Sequence, residues 1–182
     1  MHRDALLDRL RTFSPVESAD GAARQRIVEF VRSNPDCFER SNSAGHITGS
    51  AWLIDPTGTR VLLTLHRKLG RWLQLGGHAD GDCDAAAAAL REAREESGID
   101  AITLLDDAIF DLDVHEIPAC DGVAAHLHYD IRFLMQVTGD PAFRTGPESR
   151  RLAWCTSDEL SRLDPDASVG RMHRKWLARS PA

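Results

Sequence analysis

Apolar residues recur at helical spacing near both ends of the chain and gather in short strand-like stretches between them. Over residues 4–13, Leu6, Leu7, Leu10 and Phe13 share one helical face, and Pro15 follows. A second amphipathic helix is predicted from about Ala19 to Ser33, with Ala23, Ile27, Phe30 and Val31 inward and Pro35 beyond its end. Residues 45–54 predict a strand. Asp55-Pro56-Thr57-Gly58 is a turn signal, and Val61 to Leu65 return as a second strand, which makes a hairpin. Residues 102–115 predict one or two strands, and Pro118 to Gly122 a loop. A long strand is expected within Val123 to Val137 and a last one over 150–155. Thr156-Ser157-Asp158-Glu159 is a capped helix start, and a final helix around 168–179 carries Val169, Met172 and Trp176. Helices interleaved with strands predict an α/β or α+β fold. The two N-terminal helices, residues 1–40, read as an extension packed on a main domain of residues 41–182.

The chain is organised around one acidic helix. Gly76-Gly77-His78-Ala79-Asp80-Gly81-Asp82-Cys83-Asp84 reads as a glycine turn and acidic loop, followed by five alanines and then Leu90-Arg91-Glu92-Ala93-Arg94-Glu95-Glu96-Ser97-Gly98-Ile99. Asp82 and Asp84 are both suited to cap the helix, and Gly98 stops it. Ala86, Ala89, Leu90 and Ala93 form its apolar stripe. Glu92, Glu95 and Glu96 stand at i, i+3 and i+4, so three carboxylates share a face. Two readings explain such crowding. One is a solvated face with an Arg91–Glu95 ion pair. The other is a bound hard cation such as Mg²⁺, which prefers carboxylate oxygens and can add backbone carbonyls.

Residues 77–99 resemble the Nudix box, G-x5-E-x7-R-E-U-x-E-E-x-G-U, where U is a bulky aliphatic residue. Gly77, Arg91, Glu92, Glu95, Glu96, Gly98 and Ile99 match. Cys83 stands where the family has its first Glu, Ala93 is small for U, and Leu75 replaces a proline often found before the glycine pair. The resemblance implies a Nudix-like α/β/α sandwich with a mixed sheet for residues 41–182. It implies a hydrolase that cleaves a diphosphate linkage in a nucleoside diphosphate joined to another group, with Mg²⁺ or Mn²⁺ as cofactor. On that reading Glu92, Glu95, Glu96 and the Gly76 carbonyl hold the metal, with Glu92 as ligand or as base through water, and Arg91 orients the carboxylates. The runs His66-Arg-Lys-Leu-Gly-Arg-Trp and His126-Leu-His-Tyr-Asp also resemble bacterial Nudix proteins of unassigned substrate. Two other outcomes stay open. Cys83 and Leu75 motivate a nucleotide-binding sensor with weak or no turnover, and a Nudix-fold prenyl-diphosphate isomerase is the third reading.

Composition narrows this further. The 182 residues fit one domain with a terminal extension, and 42% hydrophobic content suffices for a core. The net charge of −6 gives no general footprint for nucleic acid, so an anionic substrate needs a metal or a local patch. Arg67, Lys68 and Arg71 form such a patch just before the box and are candidates for binding phosphate; a plain basic turn is the alternative. Trp72 either stacks on a base or fills the core. A second cluster arises from period-2 spacing, which puts His126, His128 and Asp130 on one strand face. Antiparallel pairing would bring Asp113 or His115 alongside. His115, His126, His128 and Asp130 could bind a transition metal or serve as acid and base, and His126 and His128 could also position phosphate. Cys37, Cys83, Cys120 and Cys155 are scattered, which predicts reduced thiols and a cytoplasmic protein. No secretory leader pattern or membrane-spanning run is read. The expected partner is a small phosphorylated molecule, and homodimerisation is compatible with the pattern. Substrate choice is expected to depend on loops 116–124 and 139–148.

Overall fold

A computed structural model describes residues 2–120, 122–146, 149–163 and 165–179. The loops 116–124 and 139–148 include Asp121, Pro147 and Glu148, which lie outside the described residues. In chain order the elements are α1 (Asp4–Thr12), α2 (Ser18–Ser33), β1 (Gly45–Ile54), β2 (Arg60–His66), β3 (Trp72–Leu73), β4 (Leu75–His78) and α3 (Ala85–Ser97). There follow β5 (Ile102–Leu104), β6 (Asp111–Ile117), β7 (His126–Val137), β8 (Ser149–Thr156), α4 (Ser157–Arg162) and α5 (Ala167–Arg179). The strands form one sheet with the path β3-β2-β1-β7-β5; β4 pairs with β1, β6 with β7 and β8 with β2. This is the α+β class with a mixed sheet that the sequence predicts. The glycine pair is the main departure. Gly76 and Gly77 lie in strand β4, paired with β1, where a turn is expected.

Two compact units make up the chain, the first built from Met1–Ser50, Gly77–Ala89 and Asp107–Phe133. Its core includes Leu10, Ile27, Val31, Ile47, Leu112, Ile131 and Phe133. Glu17 and Asp20 cap α2 reciprocally, with the buried Asp20 carboxylate accepting from the Val16 and Glu17 amides at 3.0 and 3.1 Å. Phe30 of α2 stacks on Tyr129 of β7, with ring centroids 3.9 Å apart and planes within 7°. β6 and β7 run antiparallel with His115 opposite His128 and Asp113 opposite Asp130.

The alanines of α3 have a structural purpose. Asp84 caps the helix by accepting from the Ala86 amide at 3.0 Å. Ala85, Ala86, Ala88 and Ala89 are buried, and the first turns lie directly on β1. A Cβ at Gly49 would stand 2.5 Å from the Ala85 carbonyl oxygen and 2.8 Å from the Ala89 nitrogen. Both are backbone atoms that no rotamer change can move aside. Gly49→Ala is therefore expected to destabilise the protein by about 1–3 kcal/mol through overpacking. Urea denaturation would read it, and a change under 0.5 kcal/mol, about the scatter of surface substitutions, would show that helix and strand part easily.

The second unit comprises Ala51–Gly76, Leu90–Asp106 and Leu134–Ala182. Trp52, Leu53, Leu62, Leu63, Leu75 and Ile102 are fully buried in its core. The hairpin turn is closed by Asp55, which accepts from the Thr59 and Arg60 amides and from the Thr57 hydroxyl. β2 pairs antiparallel with β8 along its length, from Arg60↔Thr156 to His66↔Ser149. β5 pairs antiparallel with the end of β7. Thr156 and Glu159 form the capping box of α4, and α5 packs Trp176 edge-on to Trp52 at 6.2 Å.

Candidate functional site

The box helix ends in a glycine cap. Gly98 has φ +68°, and its amide donates to the Arg94 carbonyl at 2.8 Å. The Ser97 hydroxyl donates to the Ala93 carbonyl and accepts from the Ile99 amide. The chain beyond β7 closes on this end: the Arg144 amide donates to the Ser97 carbonyl at 2.7 Å. Glu92 is 16% exposed at its side chain and Glu95 65%, while Glu96 is half-buried. A Glu96 carboxylate oxygen accepts from the Gly76 amide at 3.0 Å, which anchors the helix to β4. Arg91 donates to Glu92 at 3.0 Å and lies 4.0 Å from Glu95. Its guanidinium thus contacts carboxylates of its own helix, the geometry its fork favours. The carboxylates with the Gly76 carbonyl are hard oxygen donors of the kind Mg²⁺ or Mn²⁺ takes.

The basic segment forms the β2–β3 connection in the same unit. Arg67 donates to the Ser149 carbonyl at 3.2 Å and its own carbonyl accepts from Arg150, so it also braces β8. Lys68 and Arg71 are exposed. Trp72 is half-buried on β3, with the Arg151 guanidinium 6.0 Å from its ring centre, so it does not fill the core.

Cys83 is half-buried, and its thiol donates to the Gly81 carbonyl at 3.7 Å. Burial, followed by the negative charges of Asp82 and Glu39, raises its pKa, which keeps the thiol protonated.

The histidines gather in the first unit. His128 lies within 5.5 Å, centre to centre, of His46, His78, His115 and His126. His115 Nδ1 is 3.2 Å from Asp113, and His126 Nδ1 is 2.9 Å from the Ala124 carbonyl. Asp130 is committed elsewhere. One oxygen accepts from Thr48 and Ser50, and the other from Arg132. His46 and His78 are not candidates from the sequence, yet their rings lie within 5.0 Å, centre to centre, of His128. Burial, and after it the charge of His78, lowers the His46 pKa to about 4. The same causes in the same order push His128 lower still.

Residues 46–179 match the NUDIX domain family. No curated protein matches the chain. Among solved structures, an Ap4A hydrolase from C. elegans in a binary complex superposes with a TM-score of 0.58 at 20% identity, covering 72% of this chain and 95% of that one. The MutT protein of Methanosarcina mazei Go1 gives 0.58 at 18% identity, covering 75% and 96%. The dihydroneopterin triphosphate pyrophosphohydrolase of E. coli gives 0.56 at 18% identity, covering 72% and 95%. At these identities the likeness is one of fold. Together with the box at residues 77–99 and the family match over most of its length, it leads to one conclusion: the chain belongs to the Nudix family.

Proposed function

We propose that the protein is a pyrophosphohydrolase that cleaves a diphosphate linkage in a nucleoside-diphosphate-type substrate, with Mg²⁺ or Mn²⁺ as its cofactor. The observation that carries this reading is the half-buried Glu96, fixed to the Gly76 amide on the same helical face as Glu92. Glu92, Glu95, Glu96 and the Gly76 carbonyl would hold the ion. When bound, such an ion neutralises phosphate oxygens and supports attack by water. The remaining work falls to the chain itself. Arg91 holds the Glu92 carboxylate in place. Glu92, shielded from solvent, is the group suited to take a proton from the attacking water. Lys68 and Arg71, with Arg67 behind them, offer positive charge to the outer phosphates. The fold neighbours named for Ap4A, MutT and dihydroneopterin triphosphate support diphosphate chemistry as the class of reaction. The family match begins at residue 46, which supports residues 41–182 as the Nudix domain and residues 1–40 as its helical extension. No helix among the described residues is long and apolar enough to cross a membrane, and a cytoplasmic enzyme acting on a small phosphorylated molecule is the reading adopted.

The test is a panel of nucleoside di- and triphosphates, dinucleoside polyphosphates and nucleotide sugars, each assayed with Mg²⁺, with Mn²⁺ and with chelator. Metal-dependent release of a nucleotide product from at least one substrate is expected. Ligand-induced thermal stabilisation with no product under any condition would instead favour a binding module.

A further inference from the structure

A group of imidazoles in the first unit has no role in the hydrolase reading. His46 lies on β1, His78 ends β4 and His128 lies on β7. The Ala79 amide donates to the Ile47 carbonyl at 3.3 Å, which holds the end of β4 beside the start of β1. One ring nitrogen of each histidine lies within 4.8 Å of the other two. His46 is only 3% exposed, and neither of its ring nitrogens has a hydrogen-bond partner among the described residues. Nε2 of His128 is likewise buried and unpartnered. Buried nitrogens are seldom left so, because burying them unpaired is costly. The unpartnered nitrogens of His46 and His128, with a His78 nitrogen within 4.8 Å of both rings' ligand atoms, indicate a missing electrophile.

We infer that His46, His78 and His128 bind one divalent transition-metal ion of the zinc class. The donor chemistry selects that class. Neutral imidazole suits zinc and its transition-metal neighbours, whereas Mg²⁺ and Ca²⁺ take oxygen. This sets the site apart from the glutamates of the box. Burial, and after it the charge of neighbouring histidines, favours the neutral form of His46 and His128, which is the form that ligates. Zinc–nitrogen bonds of about 2.0–2.1 Å in a tetrahedron put the nitrogens about 3.4 Å apart. The present separations, within 4.8 Å, are wider than this, so the three rings would draw together on the ion. Three protein ligands leave a fourth position for water or an anion. Asp130, a candidate for this cluster from its strand spacing, supplies no ligand, since Thr48, Ser50 and Arg132 hold both its oxygens. His115 and His126 stand around the site, each with Nδ1 at a carboxylate or carbonyl oxygen.

The inference is independent of the hydrolase reading and is tested by binding. Metal-stripped wild-type protein is titrated with Co²⁺, followed by visible absorption, and with Zn²⁺ by calorimetry. One equivalent should bind with the intense absorption of a four- or five-coordinate site. His46→Gln and His78→Gln should each weaken binding by at least about tenfold, the scale on which metal affinity responds even to outer-shell changes. Glu96→Gln should leave it unchanged. If His46→Gln fails to fold, as judged by circular dichroism, the half-buried His78 carries the test. Absence of stoichiometric binding by the wild type overturns the inference. So does binding that survives the histidine substitutions or disappears with Glu96→Gln.

Discussion

Glu96→Gln is expected to lower turnover of a cleaved diphosphate substrate by about 10²–10³-fold, with little change in stability. The substitution keeps the volume of the side chain and an oxygen able to accept from the Gly76 amide at 3.0 Å. The anchor to β4 therefore remains, and the loss is one of charge at a half-buried position. A divalent ion supplies several kcal/mol of charge stabilisation in the transition state, and each 1.36 kcal/mol is tenfold in rate. Weakening its hold by one carboxylate accounts for a loss of this order, comparable to removing one preorganised electrostatic partner. The effect should fall mainly on kcat, with a higher Mg²⁺ concentration needed for half-maximal rate. Glu95→Gln should cost less, because that side chain is 65% exposed and already screened. Steady-state kinetics over a range of Mg²⁺ would decide. Turnover by Glu96→Gln equal to that of an active wild type would remove the box helix from the reaction.

What the sequence showed of this arrangement follows from periodicity. α1, α2, α3 and α5 each bury one face, so their apolar spacing is written at 3.6 residues and their limits were readable to within a residue or two. β3 and β4 carry no such signal. Two residues, and a run containing two glycines, are too short for any period, and their extended form comes from pairing with β2 and β1. The histidine group was half legible. Alternation on β7 and the facing strand gave His115, His126 and His128, and the register His115↔His128 matches antiparallel pairing. His46 was missed because β1 is buried on both faces and reads as one continuous strand. Its signal was present: His46, Thr48 and Ser50 alternate with less polar neighbours, and buried polar groups at period 2 require something to satisfy them. For Thr48 and Ser50 that is Asp130. His78 ends β4, a run too short to show any period, so nothing in its spacing links it to the other histidines. Asp130 lies on the face its spacing predicts, but Arg132, two residues on, shares that face and holds its carboxylate in place of the histidines.

Arg132→Met should destabilise the protein by about 3–5 kcal/mol, the cost of removing one side of a buried ion network. The Arg132 side chain is 2% exposed, and its nitrogens donate to three carboxylates. Nε reaches Asp130 at 2.7 Å, and the two terminal nitrogens reach Asp111 at 2.9 Å and Asp113 at 3.2 Å. Burial alone would lower the pKa of such a guanidinium, but the attraction of Asp130, Asp113 and Asp111 more than offsets it and raises its pKa. Methionine fills a similar volume, so a cavity contributes little; what remains is three carboxylates facing one another with their cation gone. Arg132→Lys tests the geometry separately. It keeps the charge, but a compact ammonium cannot span three acceptors as a planar fork does, and a loss intermediate between the two is expected. The network also ties β6 to β7 two residues from His128, so a loosened register would disturb the imidazoles as well. Adding Asp111→Asn to Arg132→Met should recover part of the lost stability, because it removes one of the stranded charges; coupling in such networks runs to about 0.5–3 kcal/mol. Urea midpoints of the two single variants and the double variant would measure this. A loss under 1 kcal/mol for Arg132→Met, well below the cost of an uncompensated buried charge, would mean that water reaches the carboxylates, and that the backbone ladder and packing hold the strands bearing the histidines without this network.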